Sequence, residues 1–287
     1  MKIEYNYRTQ PRESCFVSAL KRRENMILIG ELLNSTRKKI RSALAAKDDG
    51  YIREIALKQQ EAGAHYLDVN AGAFSTSEPQ YLEWMISVIT ETTSLPLCVD
   101  SPKPEALALG CRLAGSPVIL NSITAEKEHF SRVLPIVKEF DAGVIALPLD
   151  ETGLSGDEDK IYNIACRLVE NLAREGIPPD RIFLDTLIRP LSTDISYGEL
   201  ALNLIRRFSS HFPEVHRVCG LSNISFGLPK RKLINQTFLV MAMASGLNAA
   251  ILDPLDNLLM AQVKAAQALL AQDPFCMDYI NFIRSGK

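Results

Sequence analysis

The sequence predicts an α/β protein in which eight parallel strands close into a (β/α)8 TIM barrel. From Met26 onward, short apolar runs alternate with longer segments of helical period, the pattern of repeated strand–helix units. The apolar runs do not alternate with polar residues, so both faces of each strand are expected to be buried, as in a parallel sheet. Eight such units follow Met26, and roughly 250 residues are usual for a closed barrel of this kind.

The eight candidate strands are short enough, and far enough apart, for a helix to follow each of them. In chain order they read MILIGE, HYLDVN, LCVDS, VILNS, GVIALPLD, IFLD, VCGLSN and AAILDP. Most are rich in Val, Ile and Leu, which fit the buried strands of a parallel sheet. Each run therefore predicts one strand of the barrel.

The segments between the strands carry helix signals. In GYIREIALKQQEAG one apolar face is expected to be buried, and Gly63 offers a stop. The segment 157–176 begins on acidic residues, which suit the positive end of a helix, and stops at a glycine followed by Pro178. The predicted buried face of the first segment consists of Ile52, Ile55, Ala56 and Gln59.

The chain is predicted to form a single barrel over residues 26–287, preceded by an N-terminal extension of residues 1–25. No Gly/Ser linker or low-complexity run divides it. The alternative is an open doubly wound sheet, but the first strand and its loop, ILIGELLNST, lack the GxGxxG turn that cradles a dinucleotide. We therefore prefer the closed barrel.

Composition and charge argue against several classes of protein. The formal net charge is -2, and the basic runs 21–23 and 230–232 are too short for a nucleic-acid footprint. No apolar run approaches the roughly 18 residues of a membrane span, and the first residues lack the apolar core of a secretory signal. The six cysteines form no CxxC pair and no zinc-ligand pattern. We therefore expect a cytoplasmic protein with reduced cysteines.

Carboxylate or amide side chains follow every predicted strand. In a barrel the carboxyl ends of the strands form the working face. One Asp or Asn there is ordinarily a helix cap or a turn residue, but eight converging ends would form a cup of acceptors and amides with little positive charge. The residues are Glu31, Asn34, Asp68, Asn70, Asp100, Asn121, Asp150, Glu151, Asp185, Asn223 and Asp253.

Several catalytic mechanisms lack the residues that they require. The four histidines lie at the start of a predicted strand or in or after helices, which argues against histidine acid–base catalysis. No lysine lies within a predicted strand, and no serine has a histidine to activate it, so covalent catalysis has no visible nucleophile. Asp100, Asp185 and Asp253 could ligate a metal ion, but the interleaved Asn residues argue against a dedicated transition-metal site. We expect no bound metal.

A flat heterocycle with an aminopyrimidine edge fits this cup. A carboxylate accepts two parallel N–H bonds from such an edge, and an Asn amide both donates and accepts. In a cup shielded from water, unpaired polar groups are unfavourable, so the fit is selective. The inventory therefore points to a pterin.

The sequence also resembles a known family over residues 26–284. The motifs that carry the resemblance are IGE-x-x-N, LDVNAG, LCVDS, ILNSITAE, and GLSNIS running on to PKRKLINQTFLVMAMASGLNAAILD. They are similar to the pterin-binding barrel of the methyltetrahydrofolate:corrinoid/iron-sulfur protein methyltransferases, which also handles folate in cobalamin-dependent methionine synthase. The resemblance implies a dihydropteroate synthase-like TIM barrel.

The resemblance implies a role for each matching position. Asn223 would lie near N5 of the folate and is the expected catalytic residue, and Arg231 matches a basic residue beside the folate. Two departures from the family pattern are Phe226, where a Gln is expected, and the acidic loop PLDETG. The residues that would hold the pterin ring are Asp100, Asn121, Asp185 and Asn223. The expected supporting residues are Asp68, Asn70 and Ser222.

The activity implied by the resemblance is that of an EC 2.1.1 type methyltransferase in one-carbon metabolism. A methyl group would move between N5 of tetrahydrofolate and the cobalt of a corrinoid (cobalamin type), in a direction that the sequence leaves open. In transfer from methyltetrahydrofolate the cobalt is the nucleophile, so the protein only has to bind, orient and stabilise charge, which agrees with the missing catalytic base. The chain has no D-x-H-x-x-G signature, so the corrinoid is expected on a partner protein. A homodimer is also implied by the family.

Three alternatives remain open on the sequence. Dihydropteroate synthase would show N-x-T-P-D-S-F after strand one and G-x-S-R-K after strand seven, where this chain has NSTR and GLSNISFGLPKRK. A non-catalytic folate-binding subunit is favoured only by Phe226. A metal-dependent lyase on a generic barrel would lose its activity on chelation.

Overall fold

A computed structural model describes residues 26–286, and over this range the predicted (β/α)8 barrel is confirmed. The strands are β1 (Ile27–Asn34), β2 (Tyr66–Asn70), β3 (Leu97–Asp100), β4 (Val118–Thr124), β5 (Gly143–Leu147), β6 (Ile182–Asp185), β7 (His216–Val218) and β8 (Ala249–Leu252). The α-helices are α1 (Lys38–Ala46), α2 (Asp49–Glu61), α3 (Glu78–Thr90), α4 (Pro104–Ala114), α5 (Lys127–Glu139), α6 (Glu158–Arg174), α7 (Tyr197–His211), α8 (Arg231–Ser245), α9 (Asn257–Leu269) and α10 (Met277–Arg284). The predicted extension, residues 1–25, lies outside the described residues.

The strands pair in parallel in the order β7-β6-β5-β4-β3-β2-β1-β8. The ladder between β7 and β8 is the weakest part of the barrel. There, Gly220 bridges to Ile251, and the N–H of Ile251 donates to the carbonyl of Cys219 at 2.8 Å. The barrel is therefore nearly closed, and the segment after β7 depends on other contacts to hold its place.

A single apolar layer fills the middle of the barrel. Seven strands contribute to it: Ile29, Cys98, Ile119, Ile145, Phe183, Val218 and Ala249. Side chains of a strand alternate between its faces, so the residue two positions later points to the same side. Glu31, Asp100, Asn121 and Asp185 each lie two positions after a member of this layer, and Asp68 lies two positions after Tyr66, which packs against it. The period of the strands thus places polar side chains directly above an apolar floor.

The seventh strand is shorter than the sequence predicts. The run VCGLSN was expected to be one strand, but β7 ends at Val218 and is followed by a 3-10 turn over Leu221–Asn223. Leu221 is buried in the core, which accounts for the apolar appearance of this run. His216, expected after a helix, instead begins β7, at the end of the barrel away from the mouth.

The predicted start and end signals of the helices are confirmed. The buried face of α2 includes the expected residues, and Gly63 with a φ of 95° follows its end. Asp157 begins α6 by accepting a hydrogen bond from the backbone N–H of Lys160 at 3.1 Å. Gly176, with a φ of 85°, follows the end of the same helix.

Within residues 26–286, every helix is too short or too polar to cross a membrane. The cytoplasmic location expected from the sequence remains a prediction.

Candidate functional site

The ends of β2, β3 and β4 bring four of the predicted residues into contact. Asp100 and Asn121 are direct neighbours in the ladder between β3 and β4. The amide of Asn70 donates to Oδ2 of Asp100 at 3.0 Å, and the amide of Asn121 reaches Oδ1 of Asp68 at 3.5 Å. The four side chains therefore form one connected group at the mouth of the barrel.

Asn70 has little capacity left for a ligand. Its Oδ1 accepts from the hydroxyl of Ser35 and from the backbone N–H of Gly72, both at 3.0 Å. Its amide nitrogen is used by Asp100. Asp68 is 2% exposed. Both residues thus lie where they orient Asp100 and Asn121, and their supporting role stays a prediction.

Burial dominates the electrostatics of these carboxyls. It raises the pKa of Asp100 to about 6, although the hydrogen bond from Asn70 opposes the shift. Burial and the nearby charge of Asp100 raise the pKa of Asp68 well above its usual value. A second negative charge beside the first is therefore unfavourable at this pair of buried carboxyls.

Asp185 lies at the end of β6 with one oxygen open to the mouth. Its Oδ1 accepts from the backbone N–H of Leu187 at 2.7 Å, and among the described residues its Oδ2 has no hydrogen-bond partner. Burial raises the pKa of this carboxyl to about 6. Asp185 is thus a carboxylate at neutral pH with an acceptor left for a ligand.

The amide of Asn223 is exposed at the mouth and makes no hydrogen bond to another side chain among the described residues. It rests against Gly220, where an added Cβ atom would lie 3.0 Å from its Nδ2. Its position is therefore set by the 3-10 turn that carries it. An Asn side chain there can donate to and accept from a ligand at the same time.

The turn of Asn223 is connected to β1 through Ser222 and Glu31. The hydroxyl of Ser222 donates to Oε1 of Glu31 at 2.8 Å, and Nη2 of Arg37 lies 2.5 Å from the same oxygen. Burial raises the pKa of Glu31, while Arg37 and Ser222 oppose the shift.

Arg231 is bound to the same turn. Its Nη2 donates to the carbonyl of Ser222 at 2.6 Å, and its Nε donates to the hydroxyl of Ser225 at 3.1 Å. The ring of Phe226, which is 63% exposed, lies 5.9 Å from its guanidinium. Arg231 thus stabilises the loop, and its predicted contact with folate stays a prediction.

Four further strand-end residues accept hydrogen bonds from backbone N–H groups of the turns and loops that follow or adjoin the strands. Asn34, Asp150 and Asp253 each accept a hydrogen bond at 3.0 Å from the backbone N–H two residues later. This is the ordinary turn geometry of Asn and Asp. Glu151 likewise accepts from the backbone N–H of Lys127 at 2.8 Å.

No group of three or more His, Cys, Asp or Glu side chains within residues 26–286 is arranged to hold a metal ion. The polar mouth consists of carboxylates and amides, with Arg37 and Arg231 at its edge. Such a set offers many acceptors to a ligand rich in N–H groups.

A family model described as pterin binding enzyme matches residues 30–253. The chain belongs to the pterin-binding enzyme family. The motif resemblance is also confirmed: a methylcorrinoid:tetrahydrofolate methyltransferase of Eubacterium limosum is 36% identical over 267 residues, which cover 91% of this chain and 97% of the relative.

A second sequence relative and a solved structure are also similar to this chain. The methionine synthase of Mycobacterium tuberculosis is 29% identical, with 87% of this chain matching 22% of that larger protein. Dihydropteroate synthase from Xanthomonas albilineans, solved with 7,8-dihydropteroate, superposes with a TM-score of 0.67 at 17% identity, covering 86% of this chain and 94% of that one. The last similarity concerns the fold alone.

Sequence reasoning missed several residues that organise the mouth of this pterin-binding enzyme. Glu31 was not one of them, because it ends the first candidate strand and was predicted to lie at the mouth. Arg37, Glu78 and Lys103 carried no such signal, since Arg37 lies beyond the end of its strand and Glu78 and Lys103 meet only in the folded barrel.

Proposed function

We propose that the protein is a methyltransferase that moves a methyl group between N5 of tetrahydrofolate and the cobalt of a corrinoid on a separate protein. The proposal is carried by the 36% identity to the methylcorrinoid:tetrahydrofolate methyltransferase, which extends over 97% of that relative. The name of the relative makes methylcorrinoid the donor, so transfer onto tetrahydrofolate is the favoured direction.

The mouth of the barrel supports this reaction without a covalent enzyme intermediate. Asp100, Asn121 and Asp185 supply acceptors and an amide for the pterin ring. When tetrahydrofolate accepts the methyl group, N5 forms the new C–N bond and loses its proton, and the cobalt keeps the electron pair of the broken Co–C bond. The corrinoid supplies the redox-active cobalt, and the protein supplies binding and orientation.

Asn223 is the proposed residue beside N5. In transfer onto tetrahydrofolate, the amide oxygen accepts from the N5 N–H while the N5 lone pair attacks the methyl group. In the reverse reaction, the amide N–H donates to N5 and strengthens that bond as the methyl group leaves. An amide does not titrate, so the proton itself passes to solvent or to another group. This assignment explains why the site functions without a histidine or lysine.

Absorbance spectroscopy under anaerobic conditions tests the proposal. We expect the purified protein to convert methylcobalamin and tetrahydrofolate into Co(I) cobalamin and 5-methyltetrahydrofolate, and to catalyse the reverse reaction. A protein that binds tetrahydrofolate but exchanges no methyl group, with free cobalamin or with added corrinoid proteins, would be a binding subunit instead. Formation of 7,8-dihydropteroate from 4-aminobenzoate would identify a dihydropteroate synthase.

Tetrahydrofolate binding is expected to weaken below pH 6. The pKa values of Asp100 and Asp185 are raised to about 6, so each carboxyl is ionised at pH 7.5 and mostly protonated at pH 5. A protonated carboxyl loses an acceptor that faces the pterin N–H groups. We expect Kd to rise about tenfold per carboxyl between pH 7 and pH 5, because one proton must be released for each.

Calorimetric titrations from pH 5 to pH 8 measure this dependence. The control is Asp185→Asn, in which one of the two titrating groups is absent. The slope of log Kd against pH should therefore fall by the equivalent of one proton. A Kd that is the same at pH 5 and pH 7.5 would contradict the role of these carboxylates.

We infer a homodimer that pairs through a groove between α7 and α8. The groove encloses about 500 Å³ and is lined by the apolar side chains of Leu202, Phe238 and Met241, among others. Leu233 at its edge is 62% exposed. Glu199 and Arg206 lie two turns apart on α7, so a two-fold axis passing between them would place Glu199 of one subunit opposite Arg206 of the other.

Light scattering is expected to give twice the chain mass of 31.9 kDa for the wild type. The double variant Leu233→Glu and Met241→Glu should be monomeric, because charges would replace apolar contacts. Leu269→Glu is the matched control, since Leu269 is 85% exposed at the end of α9, outside the groove. A monomeric wild type, or dissociation by the control, would reject this interface.

A further inference from the structure

Asn223 and Asp100 each have a serine as a direct neighbour in the chain. Each of these serines donates a hydrogen bond to a buried or nearly buried glutamate. Ser222 precedes Asn223 and donates to Glu31 at 2.8 Å. Ser101 follows Asp100 and donates to Glu78 at 2.5 Å. We call each of these pairs a serine–glutamate clamp.

Both clamps are completed by a basic side chain. Arg37 lies 2.5 Å from Oε1 of Glu31, and Lys103 lies 3.0 Å from Oε2 of Glu78. The backbone N–H of Lys103 also donates to the Ser101 hydroxyl at 3.1 Å. An ionised carboxylate accepts a stronger hydrogen bond than a neutral group does, and a paired cation offsets the free-energy penalty of burying its charge. Each glutamate can therefore hold its serine in one position.

The two clamps lie at different positions relative to the sheet. Glu78 is 1% exposed at the start of α3 and fixes the end of β3. Glu31, on β1, reaches across β8 to a turn that has already left the sheet after β7. The second contact therefore supports a segment where the ladder between β7 and β8 is weak.

The two site residues depend on their clamps to different degrees. Asp100 is also held by Asn70 at 3.0 Å. The Asn223 amide has no side-chain partner among the described residues, so the orientation of its turn alone directs it toward a ligand.

We infer that Glu31 and Glu78 are positioning residues, which act through Ser222 and Ser101 to fix Asn223 for the transfer step and Asp100 for pterin binding. This inference rests on the proposed function. It predicts separate kinetic signatures, because Asn223 acts at N5 whereas Asp100 holds the ring.

Steady-state kinetics of serine variants separate the two clamps. Ser222→Ala should lower kcat about tenfold and leave KM for tetrahydrofolate within about twofold. Ser101→Ala should raise that KM, and the Kd, about threefold to tenfold and leave kcat nearly unchanged. Glu54→Gln is the matched control and should behave like wild type, because among the described residues Glu54 pairs only with Lys58, on the surface of α2.

Glutamate variants test whether Glu31 acts through Ser222. Glu31→Ala should match Ser222→Ala, and the double variant should be no worse than either single variant, because both remove one contact. Glu31→Gln keeps an acceptor for the hydroxyl and should recover most of kcat. Melting temperatures identify variants that lose activity by unfolding.

Other outcomes would overturn the inference. Wild-type kcat in Ser222→Ala, additive losses in the double variant, or a Glu31→Gln as inactive as Glu31→Ala would show that Glu31 does not act through Ser222. If the wild type transfers no methyl group, the proposed function fails first. The tetrahydrofolate Kd of Ser101→Ala then still tests the clamp at Asp100: an unchanged Kd rejects it.

Discussion

Replacing Asn223 with alanine is expected to lower kcat for methyl transfer by about 10²- to 10³-fold, the usual loss when a donor at a developing charge is removed. Tetrahydrofolate should still bind within about tenfold of the wild-type Kd, because Asp100, Asn121 and Asp185 remain. Single-turnover absorbance of the cobalt measures the step directly.

Two companion variants show whether the position of the amide, and not only its presence, matters. Gly220→Ala would place a Cβ atom 3.0 Å from Nδ2 of Asn223, so the amide must give by a few tenths of an ångström, and we expect kcat to fall by up to about tenfold. Asn171→Ala removes an exposed amide on α6 that accepts from Arg174, its one side-chain partner within residues 26–286, and should leave kcat unchanged. A kcat for Asn223→Ala within threefold of wild type would remove Asn223 from the proposed mechanism.

The fold was accessible to sequence reasoning because its signals are local. Strand period alone explains why Asn121 faces the mouth: Ile119, two residues earlier, belongs to the buried interior layer. The capping of α6 by Asp157 likewise depends on a partner three residues away. Patterns of this range can be seen directly in a sequence.

The mouth was less accessible because its deciding contacts are long-range. Ser222 and Glu31 are separated by 191 residues, and no local pattern reports that they meet. The run VCGLSN therefore looked like a strand, although the chain leaves the sheet after Val218. Glu78 stands in the first turn of α3, where acidic residues are common, and only the folded chain brings Ser101 and Lys103 to its carboxylate.

Residue type alone also failed to separate ligand-facing side chains from turn residues. Asp185 ends β6 and Asp253 follows β8, and both accept from the backbone N–H two residues later. Burial raises the pKa of Asp185 to about 6. Burial depends on the neighbouring strands, and so it is a property of the assembled barrel.

Asp185→Asn should weaken tetrahydrofolate binding by about 10²-fold and make the folded protein more stable. The amide presents a donor where the pterin also donates, so a charge-assisted pair is lost. The bond from the N–H of Leu187 can persist to the Asn oxygen. Because burial raises the folded pKa from 3.8 to about 6, ionisation opposes folding at neutral pH. Its removal should add on the order of 1–3 kcal/mol to the free energy of unfolding at pH 7.5.

The sign of this effect can be checked by urea unfolding at several pH values. A folded carboxyl with a raised pKa binds its proton more tightly than the unfolded one, so its unfavourable contribution decreases as pH falls through 6 toward 4. The advantage of Asp185→Asn should therefore shrink over that range. Asp150→Asn is the matched control, because the hydrogen bonds of Thr152 lower the pKa of Asp150, with a smaller contribution from Arg167. Removing that charge should leave the free energy of unfolding unchanged or lower it. If both variants lost stability equally, the Asp185 carboxylate would not be an unfavourable buried charge retained for binding.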